Sequence, residues 1–355
     1  MDIRILLFCI LTKTLFTMNT KFLTPLLPLL FLSRHVLSLP SNSDSWHLLP
    51  PIPLGPQQEE SVAAIGGDIY IVGGINLVPP NATTIPSVSY MQVYSTTTNT
   101  WRRVADIPMA VNHANMASLN GKLYVLGAIA GSGINYPIAN SFAYTPATDT
   151  WDALPPMPAG TERGAAGVGV WGDNIVIAGG LNYTDFLNGA QTTVPWTSMF
   201  NTRTLQWDTA FPDLPDGGRD HCGGVVLGDT FYVVGGRVSG ERNVRGTVWA
   251  MDLGKATRTW VEMEGKMPTP RGSHSTALVD GKIYTFGGEG NPVGNGIFDN
   301  VEAYDVKADS WEVLAPMPEP RHGTAAAVVA GRVFIPGGAY KGGAGAVDSN
   351  QIFIP

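Results

Sequence analysis

The chain has only two cysteines in 355 residues, Cys9 and Cys222, so no disulfide framework can hold it together. Charge is also scarce. Only 14% of residues are Asp, Glu, Lys or Arg, with 22 basic against 29 acidic side chains. An acidic excess repels phosphate backbones and anionic lipid, which excludes nucleic acid and a membrane surface as partners. No apolar run reaches the roughly 20 residues of a membrane-spanning helix. There is no nucleophile elbow, phosphate loop or paired metal motif, so hydrolase and kinase chemistry have no footing.

Glycine and proline, by contrast, are plentiful, at 42 and 27 residues, and 44% of the chain is hydrophobic. That balance suits many short strands joined by tight turns, with enough apolar surface to bury a core. Two apolar runs near the start, Ile5 to Leu11 and Phe22 to Leu32, are separated by Lys13 and Lys21. From Met18 the order of charged, apolar and small residues is that of a secretory signal peptide. Residues 1–38 are therefore read as a signal peptide, with 1–17 as a gene-model extension upstream of Met18, and residues 39–355 as one domain. Cleavage is expected near Ser38 to Ser41. It would remove Arg4, Lys13, Lys21, Arg34 and Asp2, leaving 18 basic against 28 acidic residues, a net charge of −10. Cys222 would then be the single cysteine of a secreted protein. Two glycosylation sequons, Asn81-Ala82-Thr83 and Asn182-Tyr183-Thr184, agree with that route.

A short strand ending in a glycine doublet recurs as IYIVGG, LYVLGA, IVIAGG, FYVVGG, IYTFGG and VFIPGG, beginning at Ile69, Leu123, Ile175, Phe231, Ile283 and Val333. The interval is 50 to 56 residues. Trp46, Trp101, Trp151, Trp207, Trp260 and Trp311 repeat in phase, each opening a segment that runs into proline. Tyr94, Tyr144, Phe200 and Tyr304 each stand seven residues before a tryptophan. A period near 50 with strand and turn signals means a repeat architecture.

Glycine doublet, aromatic and tryptophan at this spacing resemble the kelch repeat, in six copies that cover essentially the whole mature chain. The resemblance implies an all-β, six-bladed β-propeller with four antiparallel strands per blade. Counting strands predicts its closure. The last copy ends at Pro355 without a tryptophan strand, and residues 45–53 supply one ahead of the first copy. The N-terminal strand is therefore expected to complete the last blade, which removes the exposed edges of a linear array.

Twelve residues before each glycine-doublet strand stand Gln57, Val111, Arg163, Arg219, Arg271 and Arg321. This register predicts a ring of arginines facing the mouth of the central channel, with His113, His221, His274 and His322 close behind. Glu59 and Glu60 occupy the first blade at that level. Guanidinium groups grip carboxylates in a fixed two-pronged geometry, so Arg163, Arg219, Arg271, Arg321, His113 and His322 are candidate ligand contacts for a small polar or anionic molecule. Arginine at this position can also tie neighbouring blades together through carboxylates or carbonyls, a purely structural role. The loops after the glycine doublets, carrying Arg237, Glu289 and Tyr340 among others, are expected on the same face and would add specificity.

More distantly, the chain resembles the galactose oxidase and sialic-acid mutarotase propellers. The first resemblance would imply copper held by two histidines and two tyrosines, with a cysteine linked to one tyrosine. No tyrosine falls on the innermost strands, and six blades replace that family's seven. The second implies an isomerase without a cofactor, in which Glu59 or Glu60, with His221 or His274, moves protons while arginines hold the substrate. A cyclase would use the same pocket to orient its substrate. A non-catalytic module for an extracellular glycan or protein is equally compatible with the fold. The expectation is a secreted monomer with no cofactor or metal and with a small-molecule ligand or glycan as partner.

Overall fold

The protein is described by a computed structural model over residues 45–355. The segment read as a signal peptide, with Cys9, lies outside the described residues. All regular structure here is β: six antiparallel blades, five of them four-stranded sheets and the second part of a six-stranded sheet, with a two-stranded ribbon of Gln57–Gln58 and Ile75–Asn76 beside them. The innermost strands are Ser61–Ile65, Met116–Leu119, Gly167–Trp171, Gly223–Leu227, Ser275–Val279 and Ala327–Val329, and they stand around one axis. Blade 6 is completed by Trp46–Leu49, which pairs antiparallel with Asn350–Phe353, Trp46 opposite Phe353. The closure predicted for residues 45–53 is thus made by four of them.

Packing between blades explains the repeat marker by marker. The second strand of each blade is buried on both faces, so it reads as an unbroken apolar run. Ile175, Val176, Ile177 and Ala178 are fully buried. The aromatic seven residues before a tryptophan is its direct partner across the outer hairpin, as in Tyr94 opposite Trp101 and Tyr304 opposite Trp311. Five of the six tryptophans then reach back one blade. The indole N–H groups of Trp101, Trp151, Trp207, Trp260 and Trp311 donate to the carbonyls of Pro50, Ala105, Pro155, Pro212 and Gly265, at 2.9–3.2 Å. Each acceptor lies just beyond the preceding blade's outer strand. Trp46 differs. Its indole N–H is buried without an acceptor, and its ring packs instead against Phe286 of blade 5 and Phe353 of its own blade.

The glycine doublets serve the same boundary. Gly179 and Gly180 both have positive φ, and the N–H of Gly180 donates to the carbonyl of Arg219 in the next blade at 2.7 Å. A Cβ on Gly179 would collide with that same oxygen. In blade 2 the second glycine is Ala128. There the Asn115 side-chain amide donates to the Arg163 carbonyl at 2.8 Å, filling the role of the lost backbone donor.

Blades 2 and 3 carry an extension beyond the propeller plan. Ile134 and Asn135 pair with Asp185 and Thr184 of a hairpin formed by Leu181–Asp185 and Ala190–Thr193. Phe186, just past the first of these strands, stacks over His113 with ring centroids 5.7 Å apart.

Trp46 is 94% buried at the seam, and Trp46→Ala is expected to cost about 3–5 kcal/mol. Thermal unfolding should show a large drop in Tm, and an unchanged Tm would mean that the seam is held without this side chain.

Candidate functional site

Six residues, one per blade, bind to one another around the axis through their backbones. His113 N–H donates to the Glu59 carbonyl, Ala165 to His113, His221 to Ala165, Ser273 to His221, Gly323 to Ser273, and Glu59 back to Gly323, at 2.6–3.2 Å. The cycle is closed. Every member has φ between 50° and 65°, a left-handed conformation that is costly for residues other than glycine. All six share it, so it belongs to the architecture of the belt and not to any one side chain.

Three belt side chains meet at the axis. His113 Nε2 lies 2.9 Å from His221 Nε2 and 3.0 Å from Glu59 Oε2, and His221 Nε2 is 3.9 Å from the same oxygen. The other three, Ala165, Ser273 and Gly323, are small and leave the centre open. The far ring nitrogens are occupied. His113 Nδ1 pairs with Asn112 Oδ1 at 2.5 Å, and His221 Nδ1 with Asp220 Oδ1 at 2.8 Å. Both acceptors fix the histidine protons on Nδ1 and turn the Nε2 lone pairs inward. Burial, followed by the charges of His221 and Arg237, holds His113 well below the ordinary histidine range. Burial raises the Glu59 carboxyl, although His221 and His322 oppose it.

Above the belt, on the side of the glycine doublets, lies a buried charged layer. Arg237 donates through Nε to Asp220 at 2.8 Å and through Nη1 to Glu289. Burial alone would raise both acids; Arg237 and neighbouring histidines outweigh it and hold them below their usual range. His322 sits in this layer, with Nε2 2.8 Å from the Lys341 carbonyl and Nδ1 3.4 Å from Glu289.

Below the belt a cavity of about 230 Å³ runs down the inner strands. It shares Val62, Met116, Val168, Gly224 and Ala326 with a second cavity of about 320 Å³ further along. Lower down the walls are mostly aliphatic. Neither cavity is lined by a residue from the loops after the glycine doublets. The accessible channel therefore leads to the opposite face, that of the tight hairpins, which corrects the expected mouth.

The arginines require a second correction. Arg163, Arg219, Arg271 and Arg321 are buried within their blades, and none lines the axial cavity. Arg163 donates to the Gly179 and Ile177 carbonyls and to Ser198 Oγ. Arg219 donates to Thr247 Oγ1 at 2.8 Å, Arg271 to Glu302 at 2.6 Å, and Arg321 to Gln351 at 2.6 Å. They staple the inner segment to the second and third strands. Each stands two residues before a belt residue, where simple alternation would put both side chains on one side. The left-handed turn at the belt breaks that alternation, so the belt residue faces the axis and the arginine turns into the blade.

The remaining candidates divide. Glu59, His113 and His221 come together. His274 borders the cavity, but its Nε2 is packed near Gly235 in the preceding blade, and burial holds its pKa down to about 3. Glu60 likewise borders the cavity with its carboxyl directed at Gly337, and burial raises it well above the usual carboxylate range. His322 lies above the belt, away from the cavity. Cys222 lines the cavity as a thiol pushed up to about 12 by burial, and no tyrosine lines it. The donor set of the galactose oxidase type is therefore not assembled at the axis. Asn81 is exposed, whereas Asn182 is half-buried and Thr184 of its sequon is fully buried.

Sequence reasoning gave no role to Asp220, which it placed only beside Arg219, and missed Asn112, Phe186 and the belt itself; the three side chains contact the two histidines. The signal was present two residues after each arginine register position. It is hidden because the belt is made by backbone atoms, while its side chains read Glu, His, Ala, His, Ser and Gly.

Comparison with known proteins agrees with this architecture. Residues 167–353 match the model of the KLHDC2/KLHL20/DRC7 Kelch-repeats domain, and residues 61–108 match the Kelch motif. Kelch-like protein terF of Aspergillus terreus (strain NIH 2624 / FGSC A1156) is 37% identical over 338 residues, covering 92% of this chain and 72% of that protein. Beta-scruin of Limulus polyphemus is 25% identical over 83% of this chain, which spans 32% of its length. A solved structure titled "Structure of YjhT" superposes with a TM-score of 0.69 at 17% identity, covering 85% of this chain and 95% of that one. That likeness is one of fold.

The arginine staples give a direct test. Arg271→Ala leaves Glu302 buried without its cation, a loss expected to cost about 3–5 kcal/mol. Chemical denaturation should register it, and a variant as stable as the parent would mean that the staple carries no stability.

Proposed function

The chain belongs to the kelch-repeat family, and on that premise we propose that its axial channel binds one small molecule and transfers protons on it, as an isomerase or cyclase would. The observation that carries this reading is the meeting of Glu59, His113 and His221 at the inner end of a narrow channel. Aliphatic walls leading to a polar end suit a compact ligand, largely uncharged, with one polar group directed at the belt. This replaces the anionic ligand that an arginine ring would have favoured. The pocket would orient the substrate, and the inward lone pairs and carboxylate would hold or accept a proton.

A second reading, a non-catalytic module for a glycan or protein, draws on one observation. Leu77, Ile134, Tyr136, Leu187, Val293 and Tyr340 are large, exposed apolar or aromatic side chains on the loops that follow the glycine doublets. We also propose passage through the secretory route as a monomer, with Asn81 as the glycan acceptor, because it is exposed while Thr184 is not.

A thermal-shift screen of lactones, ketones, phenols, sugars and sugar acids separates the two readings. A hit through the channel should vanish in Ala326→Phe, which narrows the passage, and persist in Tyr136→Ser with Tyr340→Ser. The opposite pattern would overturn the channel in favour of the loop face. For the secreted protein, enzymatic removal of N-glycans should lower the mass once, and Asn81→Gln should abolish that change. A loss of mass that depends on Asn182 instead would contradict the burial of Thr184.

A further inference from the structure

We infer that Glu59, His113 and His221 form a binding site for one divalent first-row transition metal ion at the centre of the belt. The ligand atoms are His113 Nε2, His221 Nε2 and Glu59 Oε2, all within 4.8 Å of one another. The inference rests on the channel reading only in taking the inner end of the channel as the functional end, and it assigns the three atoms to a metal in place of the proton-holding role.

Four observations carry it. First, both histidines have their Nδ1 protons committed to oxygen acceptors, Asn112 Oδ1 and Asp220 Oδ1. The 2.9 Å approach of the two Nε2 atoms then sets lone pair against lone pair, with a carboxylate oxygen 3.0 Å from one of them. Arg237 Nη2 lies 3.3 Å from His221 Nε2 and eases the crowding at that one atom, while a cation placed between the three acceptors would bond all of them. Second, the spacing fits. Ligands about 2.1 Å from a tetrahedral ion lie about 3.4 Å apart, and the three separations of 2.9, 3.0 and 3.9 Å bracket that value.

Third, the outer partners are those that metal-bound histidines use. An oxygen acceptor on the second ring nitrogen fixes orientation and raises ligand basicity. Asp220 is itself anchored by Arg237. Fourth, the buried charge is unbalanced. Arg237 is bonded to both Asp220 and Glu289, and the partners of buried Glu59 are the two imidazoles of His113 and His221, with no guanidinium or ammonium bonded to it. A divalent cation offsets that excess.

Two imidazoles and one carboxylate suit zinc, iron, cobalt or nickel better than magnesium or calcium, which prefer sets of oxygen alone. Phe186 and the charged layer close the upper side, so the free coordination position faces the channel. A ligand entering between the inner strands would reach the ion with its polar end. The pocket expected from the sequence to work without a metal becomes one organised around it.

The test uses the full chain. Purified protein is stripped with a chelator, then titrated with Co(II) and separately with Zn(II). One equivalent per chain should bind, raising the Tm, and Co(II) should show the visible bands of a nitrogen- and oxygen-ligated site of low coordination number. His113→Asn and His221→Asn keep a residue that tolerates the belt's left-handed backbone, and Glu59→Gln keeps the shape. Each should weaken binding by more than about 100-fold, beyond the 10–100-fold typical of losing an outer partner, with an unchanged circular dichroism spectrum. If a variant does not fold, the Co(II) spectrum and stoichiometry of the parent still decide. No binding of either metal to the stripped parent overturns the site, as does one equivalent that survives all three variants. Screening the stripped protein against the small-molecule panel keeps the two readings apart. A hit retained without metal and lost in Ala326→Phe leaves the channel standing whether or not the ion binds.

Discussion

The six-membered cycle of backbone hydrogen bonds at the axis is the constraint from which the other features follow. Glu59, His113, Ala165, His221, Ser273 and Gly323 each donate to the preceding blade and accept from the next, so no blade can shift radially without breaking two bonds. Holding the cycle requires a left-handed residue in each blade. That requirement turns the next segment down the axis as an inner strand and sends the preceding arginine outward. The glycine doublets and the tryptophans repeat the logic at larger radius. Gly180 reaches the Arg219 carbonyl, and Trp151 reaches Ala105. Blade-to-blade cohesion is thus built in rings, the innermost made of backbone atoms and the outermost of indole N–H groups.

The fold was legible because its markers are side chains whose spacing is set by direct contact. Tyr94 precedes Trp101 by seven because the two face each other across a hairpin. The missing outer strand of blade 6 could be counted, and Trp46–Leu49 fills it. Even the irregular second copy has its explanation in Asn115, though nothing in the sequence alone marks that residue as a substitute for a backbone donor. The site was half legible. Glu59, His113 and His221 were recognised as residues near the axis, but the arginines were placed beside them from their shared register alone, which fixes a level along the axis and not the direction of the side chain. One residue of positive φ in each blade decides that direction. His322 and His113 sit one residue apart in register, His113 in the belt and His322 just before it, and that single step separates the cavity from the charged layer above.

Closure on one side gives the channel a direction. Asp220, Arg237, Glu289 and His322 fill the upper level with paired charges, and Phe186 covers His113 from the hairpin beyond. Beneath the belt the walls lose polarity within a few residues, from Glu60 and Ser61 to Val62 and Ala63. Inside the channel, a molecule coming from below would pass an aliphatic collar before it reached Glu59 and the two histidines. The order in which it would shed water is therefore set by the scaffold: apolar parts first, and the polar group only at the end.

Because the belt is backbone, its side chains are a set of positions that evolution can rewrite without rebuilding the propeller. The rewriting is not free. A left-handed backbone favours Gly, Asn, Asp and His and disfavours branched side chains, so the axis accepts a short alphabet rich in groups that bind metals and move protons. Six such letters, read around one circle, make a combinatorial site in which two or three exchanges would change the chemistry while the fold stays the same. Ala165, Ser273 and Gly323 are the letters this chain has left nearly blank.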